Sequence, residues 1–311
     1  MNIRTLYITP MILIADSGST KTDWCVADGG KVICRVSTQG INPFHQDEQT
    51  ISSIIGTELL PVLKDPSLPA DAGNVTNNGK HAADVFPAIE HVCFYGSGCR
   101  EECVPMMTRV LADAFPRAKK IEAHSDLLGA ARAVCGAGEG VACILGTGAN
   151  SCLYDGRRIV MNTPPLGYIL GDEGSGAVLG RLFINALYKG GLPAAVLSDF
   201  ERETGLTQAD VIRRVYREPL ANRFLASFAP FIHRHISCPA VRAIVVDNFR
   251  QFFRRNVVQY GRPDLPVGAV GSIALHFSAE LSEAARAEGF TMGRIVKSPM
   301  YGLVEYHGAC R

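Results

Sequence analysis

Apolar and polar positions along the chain fall into short apolar runs closed by small or turn-forming residues. Met11 to Ile14, Trp24 to Ala27 and Val32 to Val36 read as three strands, and Asp28-Gly29-Gly30 turns the second into the third. Glu48 to Leu63 has helical periodicity, whereas Lys64 to Pro87, rich in Pro, Gly, Asn and Asp, reads as an exposed insertion with little chemistry of its own. From His91 the pattern alternates: a strand to Tyr95, a helix over Glu101 to Ala114, a strand over Lys120 to Ala123, a helix over Asp126 to Val134. Glu173 to Tyr260 reads as helical almost throughout. Val267 to Val270 is a buried strand feeding a helix over Ile273 to Glu288, and a last strand and helix close the chain. Within the helical part, the segment RQFFRRNVVQY at 250–260 mixes aromatics with arginines. Its spacing sets Phe249, Phe252, Phe253 and Val257 on or near one helix face, which predicts a packed helix rather than a nucleic-acid surface.

The pattern also repeats. ILIADSGSTKTDWCVADGGKVI at 12–33 has a counterpart in ILGTGANSCLYDGRRIV at 144–160, with strand, small-residue turn, strand, Asp-Gly and third strand in the same order. Ile14 to Gly18 aligns with Ile144 to Gly148, and Ala27-Asp28-Gly29 with Tyr154-Asp155-Gly156. Two similar domains follow, each opening with a hairpin. Gly18, Gly146 and Gly148 remove Cβ atoms that would hold a ligand off the backbone, and Ser17, Ser19, Thr20 and Thr147 add hydroxyls, a combination suited to phosphate oxygens. Either turn alone reads equally well as an ordinary hairpin tip; the pairing favours the phosphate reading. Neither is a P-loop, and no G-x-G-x-x-G follows a strand.

Composition narrows the partners. At 311 residues and 47% hydrophobic, the chain is long enough for two cores. With 31 basic and 30 acidic residues it has no field for gripping nucleic acid or an anionic membrane, so small molecules are expected. Ten cysteines are scattered through apolar segments without C-x-x-C spacing and read as reduced, buried thiols. No run reaches the ~18 apolar residues of a membrane span, and the opening MNIRTLYITP lacks the features of a secretory leader. The expected location is cytoplasmic, which makes the sequon Asn74-Val75-Thr76 coincidental. His91, His124, His233, His235, His276 and His307 share no metal-ligand spacing along the chain and read as structural or surface residues.

The D-x-G-x-T-K-T turn at 16–22, the Gly146-Thr147-Gly148 turn and the late apolar strand ending in Gly271-Ser272 resemble the two phosphate motifs and the adenosine motif of the superfamily of acetate and sugar kinases, heat-shock chaperone ATPases and actin. PLGYILGDEGSGAVLGR at 165–181 is similar to the Gly-Asp-Glu-Gly-Ser stretch of N-acetylglucosamine kinases in the BadF/BadG-type ATPase family. Ser17 and Ser19 stand where many relatives carry glycine, and Leu166 where the mammalian kinases carry tryptophan. The resemblance implies an α/β fold of two ribonuclease H-like (actin-like ATPase) domains. The first covers 11–125 plus a C-terminal helix at about 298–311, and the second covers 126–297, enlarged by helices, with a nucleotide cleft between them.

It further implies ATP with Mg2+, an amino sugar as acceptor, and roles for named residues. Asp16 would hold the metal. Gly18, Ser19, Thr20, Lys21 and Thr22 would meet the terminal phosphates from one side and Gly146, Thr147 and Gly148 from the other, with Gly271 and Ser272 on the adenosine. Asn42, Gly167 and Asp172 would bind the sugar, and Asp126 would be the catalytic base, kept at a low pKa by the helix it opens. Each also has a plainer reading: Asp16 as a turn cap, Asn42 as a turn former before Pro43, Asp126 as an N-cap, Glu173 as a cap of the next helix. YGSGC at 95–99 reads as cleft lining. The expected activity is phosphorylation of N-acetylglucosamine at its 6-hydroxyl. The alternatives are an ATPase activator of a dehydratase or reductase, for which Cys135 and Cys152 are the available pair, and a sugar-independent actin-like ATPase. The helical half leaves a homodimer open.

Overall fold

The structure is a computed structural model that describes residues 11–18, 20–65 and 86–309. Ser19 and nearly all of the expected insertion lie outside the described residues. The chain divides into two compact units: one runs to Gly136 and takes up the chain again from Pro299, and the other covers Ala137–Ser298.

The first unit is built on a five-stranded sheet of β1 (Met11–Ser17), β2 (Lys21–Asp28), β3 (Lys31–Gln39), β4 (Ile89–Gly96) and β5 (Lys120–Ser125), in the order β3-β2-β1-β4-β5. The strands β1 to β3 form an antiparallel meander because turns of three and two residues leave no room for a crossover, whereas β4 and β5 return parallel to β1 through helical connections. Ser17, Gly96 and Ser125 lie in register, so the three parallel strands finish along one edge. Side-chain alternation fills both faces. Met11, Leu13, Ala15, Trp24 and Phe94 pack against the helical stretch from Glu48 and the helix Val104–Ala114, while Ile12, Ile14, Cys93 and Tyr95 face the helices Asp126–Cys135 and Met300–Ala309. The helix expected over Glu48 to Leu63 is present but widens to a π turn at Ile55–Leu59. Pro61 explains the widening: it has no N–H to donate and its ring crowds the carbonyl four residues back.

The second unit repeats the plan. Its sheet, β6 (Glu139–Leu145), β7 (Ala149–Asp155), β8 (Ile159–Thr163), β9 (Val267–Val270) and β10 (Met292–Val296), has the order β10-β9-β6-β7-β8, with β6 to β8 antiparallel and β9 and β10 parallel to β6. The repeat read from the sequence is thus a repeat of topology. Between β8 and β9 the chain folds into helices whose apolar faces meet around Phe183, Phe200, Phe231, Phe249, Phe252 and Phe253, all buried. The arginines of the 250–260 segment lie outside that core, Arg250 and Arg254 both pairing with Glu288. The helix expected over Ile273 to Glu288 is divided at the fully buried Phe277 into Ser272–His276 and Ser278–Ala287.

The division between units falls after the helix Asp126–Cys135 rather than before it. That helix packs on the β1/β4 face beside the C-terminal helix, and Arg132 donates to Tyr95 Oη at 2.8 Å. No helix among the described residues is long and apolar enough to cross a membrane. Leu303, fully buried on the C-terminal helix, should be costly to truncate: Leu303→Ala is expected to lower stability by about 2–4 kcal/mol, read as a fall in denaturation midpoint.

Candidate functional site

At the common edge of β1, β4 and β5 the first unit gathers its polar loops. The tip of the β1/β2 hairpin is clamped from within. Ser17 Oγ lies 2.6 Å from Thr22 Oγ1 and donates to the Ile41 carbonyl at 2.8 Å, Thr22 donates to the Gln39 carbonyl, and the Ile41 N–H reaches both hydroxyls at 3.0 and 3.1 Å. Both hydroxyl residues are buried, at 1% and 0% exposure. Thr22 therefore holds the loop after β3. Gly18 donates back to the Lys21 carbonyl, which makes the turn tight, and the exposed Lys21 pairs with Asp23 at 2.8 Å. Asp16 is half-buried near the end of β1 and sits opposite Asp23 of β2, a second carboxylate that spacing along the chain did not single out.

The loop after β3 carries Asn42. Its Oδ1 accepts from the Phe44 N–H at 3.1 Å, while Gln46 Oε1 accepts from the Asn42 N–H at 2.7 Å. The turn former expected of a residue before Pro43 is thus present, and the carboxamide also meets the turn after β4. A Cβ on Gly98, where φ is +76°, would fall 2.1 Å from Asn42 Oδ1, so only glycine lets the YGSGC turn approach. The turn expected only to line a cleft holds Asn42 in place.

Asp126 follows directly on β5. Its plainer reading as a cap is excluded, because Ser125 is the N-cap and accepts from the Leu128 N–H at 3.3 Å. The Asp126 carboxyl accepts from the adjacent Leu127 N–H at 2.8 Å. The expected low pKa is also corrected: burial pushes this carboxyl above the ordinary aspartate value, and the Leu127 and Asp126 N–H groups offset that only in part. Removal from water outweighs the helix end. The register of Gly96 with Ser125 sets Asp126 beside the turn that holds Asn42.

In the second unit the corresponding turn is fixed from outside. Gly146 N–H donates to the Gly148 carbonyl at 3.0 Å, and the carbonyls of Gly146 and Thr147 accept from the N–H groups of Gly176 and Ala177, at 2.8 and 3.1 Å, at the start of the helix Gly176–Tyr188. The GDEGSG stretch does this docking. Ser175, fully buried, caps the helix through the Val178 N–H at 3.1 Å, and Asn248 Oδ1 accepts from the Gly174 N–H at 3.0 Å. Glu173 is not the cap; it pairs with Arg255 at 3.3 Å and Asn256 at 3.4 Å. Asp172, in the left-handed region at φ 53°, is half-buried, and its carboxylate accepts from the N–H groups of Gly167 and Ala149; burial nevertheless raises its pKa. It joins the end of the phosphate-like turn to the exposed Gly167 loop.

Gly271 closes the other side of that turn. At φ 133°, a Cβ there would lie 2.0 Å from the Leu145 carbonyl oxygen, so the β9 end and the β6 end meet backbone to backbone. Beside them opens a cavity of about 550 Å3, lined in part by Gly146, Thr147, Ser272, Arg223, His233 and His276. The two histidine rings lie 5.9 Å apart at 67°. The sequence reading gave them no part in a site; helices distant along the chain bring them together, and no local spacing signals it.

Against known structures the chain aligns over 96% of its length, and over 99% of the other chain, with a protein from Porphyromonas gingivalis whose structure bears the name "Putative N-acetylglucosamine Kinase", at 49% identity and a TM-score of 0.86. The chain belongs to this N-acetylglucosamine-kinase-like family of sugar kinases. A protein of the same name from Chromobacterium violaceum matches at 16% identity and a TM-score of 0.68, covering 96% of this chain and 99% of that one. The ROK hexokinase of Thermus thermophilus matches at 17% and 0.53, covering 95% and 98%. These two share the fold, the two-unit actin-like ATPase architecture. No protein-family profile and no curated protein matches the chain.

The Asp126 environment predicts opposite stability effects for two neighbours. Losing the cap in Ser125→Ala should cost about 1 kcal/mol. Asp126→Asn should not destabilise at pH 7. A carboxyl with a raised folded-state pKa penalises the ionised fold above that pKa, and the penalty vanishes below the unfolded value, so the variant gains stability at neutral pH and matches the wild type near pH 3. Thermal melts at the two pH values check both.

Proposed function

We propose that the protein transfers the γ-phosphate of ATP to the 6-hydroxyl of N-acetylglucosamine, with Asp126 as the base. The observation that carries this reading is the half-buried Asp126 carboxyl, freed from capping by Ser125 and set by the strand register beside the turn that fixes Asn42, in a chain 49% identical to a protein named for that kinase activity. Phosphoryl transfer asks for an aligned acceptor, a proton acceptor beside it and compensation of phosphate charge.

In this reading Asn42 and, in the other unit, Asp172 and the Gly167 loop bind sugar hydroxyls, since a carboxamide and a carboxylate together offer donors and acceptors to them. Asp126 accepts the hydroxyl proton on one carboxylate oxygen while the Leu127 N–H holds the other; its raised pKa makes it a better proton acceptor than an ordinary aspartate. The nucleotide takes the cavity beside Gly146, Thr147 and Ser272, a volume suited to a ligand of its size, with Gly271 admitting the close backbone approach. Gly18, Thr20, Lys21 and Gly148 serve the phosphates, Lys21 by exchanging Asp23 for phosphate oxygens; Thr22 serves by holding the Ile41 loop. Ser19 keeps the role its position in the motif implies. The half-buried Asp16 carboxylate fits a Mg2+ ion, which is usually held by one or two carboxylates with phosphate and water. Bound there, the ion would neutralise charge on the terminal phosphates. The activator alternative loses its support, because Cys152 is fully buried within β7 and cannot join a cluster shared with a second chain.

Two outcomes check the proposal. ADP release over a panel of N-acetylglucosamine, glucosamine, N-acetylmuramic acid and buffer alone should be fastest with N-acetylglucosamine, and equal release without sugar would overturn it. Asp126→Asn should lower kcat by at least ~10³-fold with nucleotide binding retained, and the wild-type acidic limb of kcat/KM should lie above the ordinary aspartate range, because activity falls as the raised carboxyl protonates. Gly98→Ala should act on the sugar alone, raising its KM as Asn42 is displaced and leaving that for ATP unchanged.

A further inference from the structure

On the β1/β4 face of the first unit, away from the strand ends that carry Asn42 and Asp126, β4 and β5 set a second group of reactive side chains together. His91, Cys93 and Tyr95 alternate onto one face of β4, and the parallel register puts Lys120, Glu122 and His124 directly beside them on β5. His91, Cys93 and Glu122 bring a ring nitrogen, the thiol sulfur and a carboxylate oxygen within 4.8 Å of one another. His91 Nε2 is 2.8 Å from Glu122 Oε2. His124 points its Nε2 to the same carboxylate, 3.7 Å from Oε1, and this buried nitrogen has no hydrogen-bond partner.

We propose that His91, Cys93 and Glu122 form a binding site for a divalent transition ion of zinc type, with His124 as the candidate fourth ligand. Thiolate, imidazole and carboxylate together select a borderline-soft ion over magnesium or calcium, which prefer oxygen alone. A tetrahedral ion with bonds of about 2.0–2.3 Å spaces its ligands about 3.3–3.8 Å apart, so side-chain shifts of about 1 Å close the set. The protein supplies what such an ion needs. Cys93 is fully buried, which suits a structural ion, while His91 and Glu122 keep 22% and 24% of their side chains exposed and leave a way in. Lys120, now 2.8 Å from Glu122 Oε2, is 62% exposed and can swing into water as the ion arrives. Arg132 is engaged with Tyr95, not with the ligands. Binding replaces the Cys93 S–H bond with a sulfur–metal bond and releases that proton to solvent, so affinity rises with pH. The ion would also order the C-terminal helix, whose His307 ring packs edge-on against His91 at 5.5 Å.

The test uses tag-free full-length protein stripped with chelator and titrated with Co2+ as a spectroscopic stand-in, then with Zn2+. Stoichiometric Co2+ should give a near-ultraviolet sulfur-to-cobalt band with tetrahedral visible bands, displaced by Zn2+, and Zn2+ should raise the melting temperature. Cys93→Ser should lose the sulfur band. His91→Gln, at a partly exposed position where folding is secure, should weaken binding by more than about tenfold while its metal-free melt matches the wild type. Asp126→Asn should bind metal as the wild type does. No sulfur band in the wild type, or an undiminished band in Cys93→Ser, would overturn the proposal.

Discussion

Buried polar groups at, or docked against, the tips of two hairpins must find partners, and the way each unit meets that demand arranges everything around it. In the first unit the Ser17 and Thr22 hydroxyls donate to the Ile41 and Gln39 carbonyls and accept from the Ile41 N–H, which fixes the loop bearing Asn42. In the second, the carbonyls of Gly146 and Thr147 take the first N–H groups of a helix that would otherwise lack partners, which fixes the GDEGSG stretch and with it Asp172. An unpaired buried hydroxyl or amide costs on the order of 1–3 kcal/mol, so neither tip can shift without paying that cost. The same topology is therefore locked in two ways: one tip by side chains, beside the loop bearing Asn42, and the other by backbone, beside a cavity.

The repeat, the strands and the order of helices were legible in the sequence because they rest on local matters: alternation, Asp-Gly turns, and glycine where a Cβ would clash. Asp126 was legible as a strand-to-helix aspartate, but its reading as a cap could be set aside only once Ser125 was seen to take that place. Its pKa was misjudged because the helix end is written in sequence and the enclosure of the carboxyl is not. The inward orientation of Thr22 was hidden for a related reason, since a motif says which hydroxyls lie near a turn but not which of them face inward.

Contacts between distant segments were the least legible. Gly98 meets Asn42 across 56 positions of sequence, and His233 meets His276 through separate helices. His91, Cys93 and Glu122 lack any ligand spacing along the chain because their spacing is that of two paired strands, with alternation supplying two members and register the third. Metal-like linear motifs detect loops and helices far better than they detect a sheet face.

The central claim, that an enclosed aspartate draws a proton from a sugar hydroxyl as phosphate is transferred, is tested most directly by identifying the product. Proton–phosphorus correlation spectra of the protein incubated with ATP, Mg2+ and N-acetylglucosamine should show a new phosphate monoester coupled to the two protons on carbon 6, absent with Asp126→Asn. Inorganic phosphate as the sole product, or the same ester formed at wild-type rate by that variant, would contradict it.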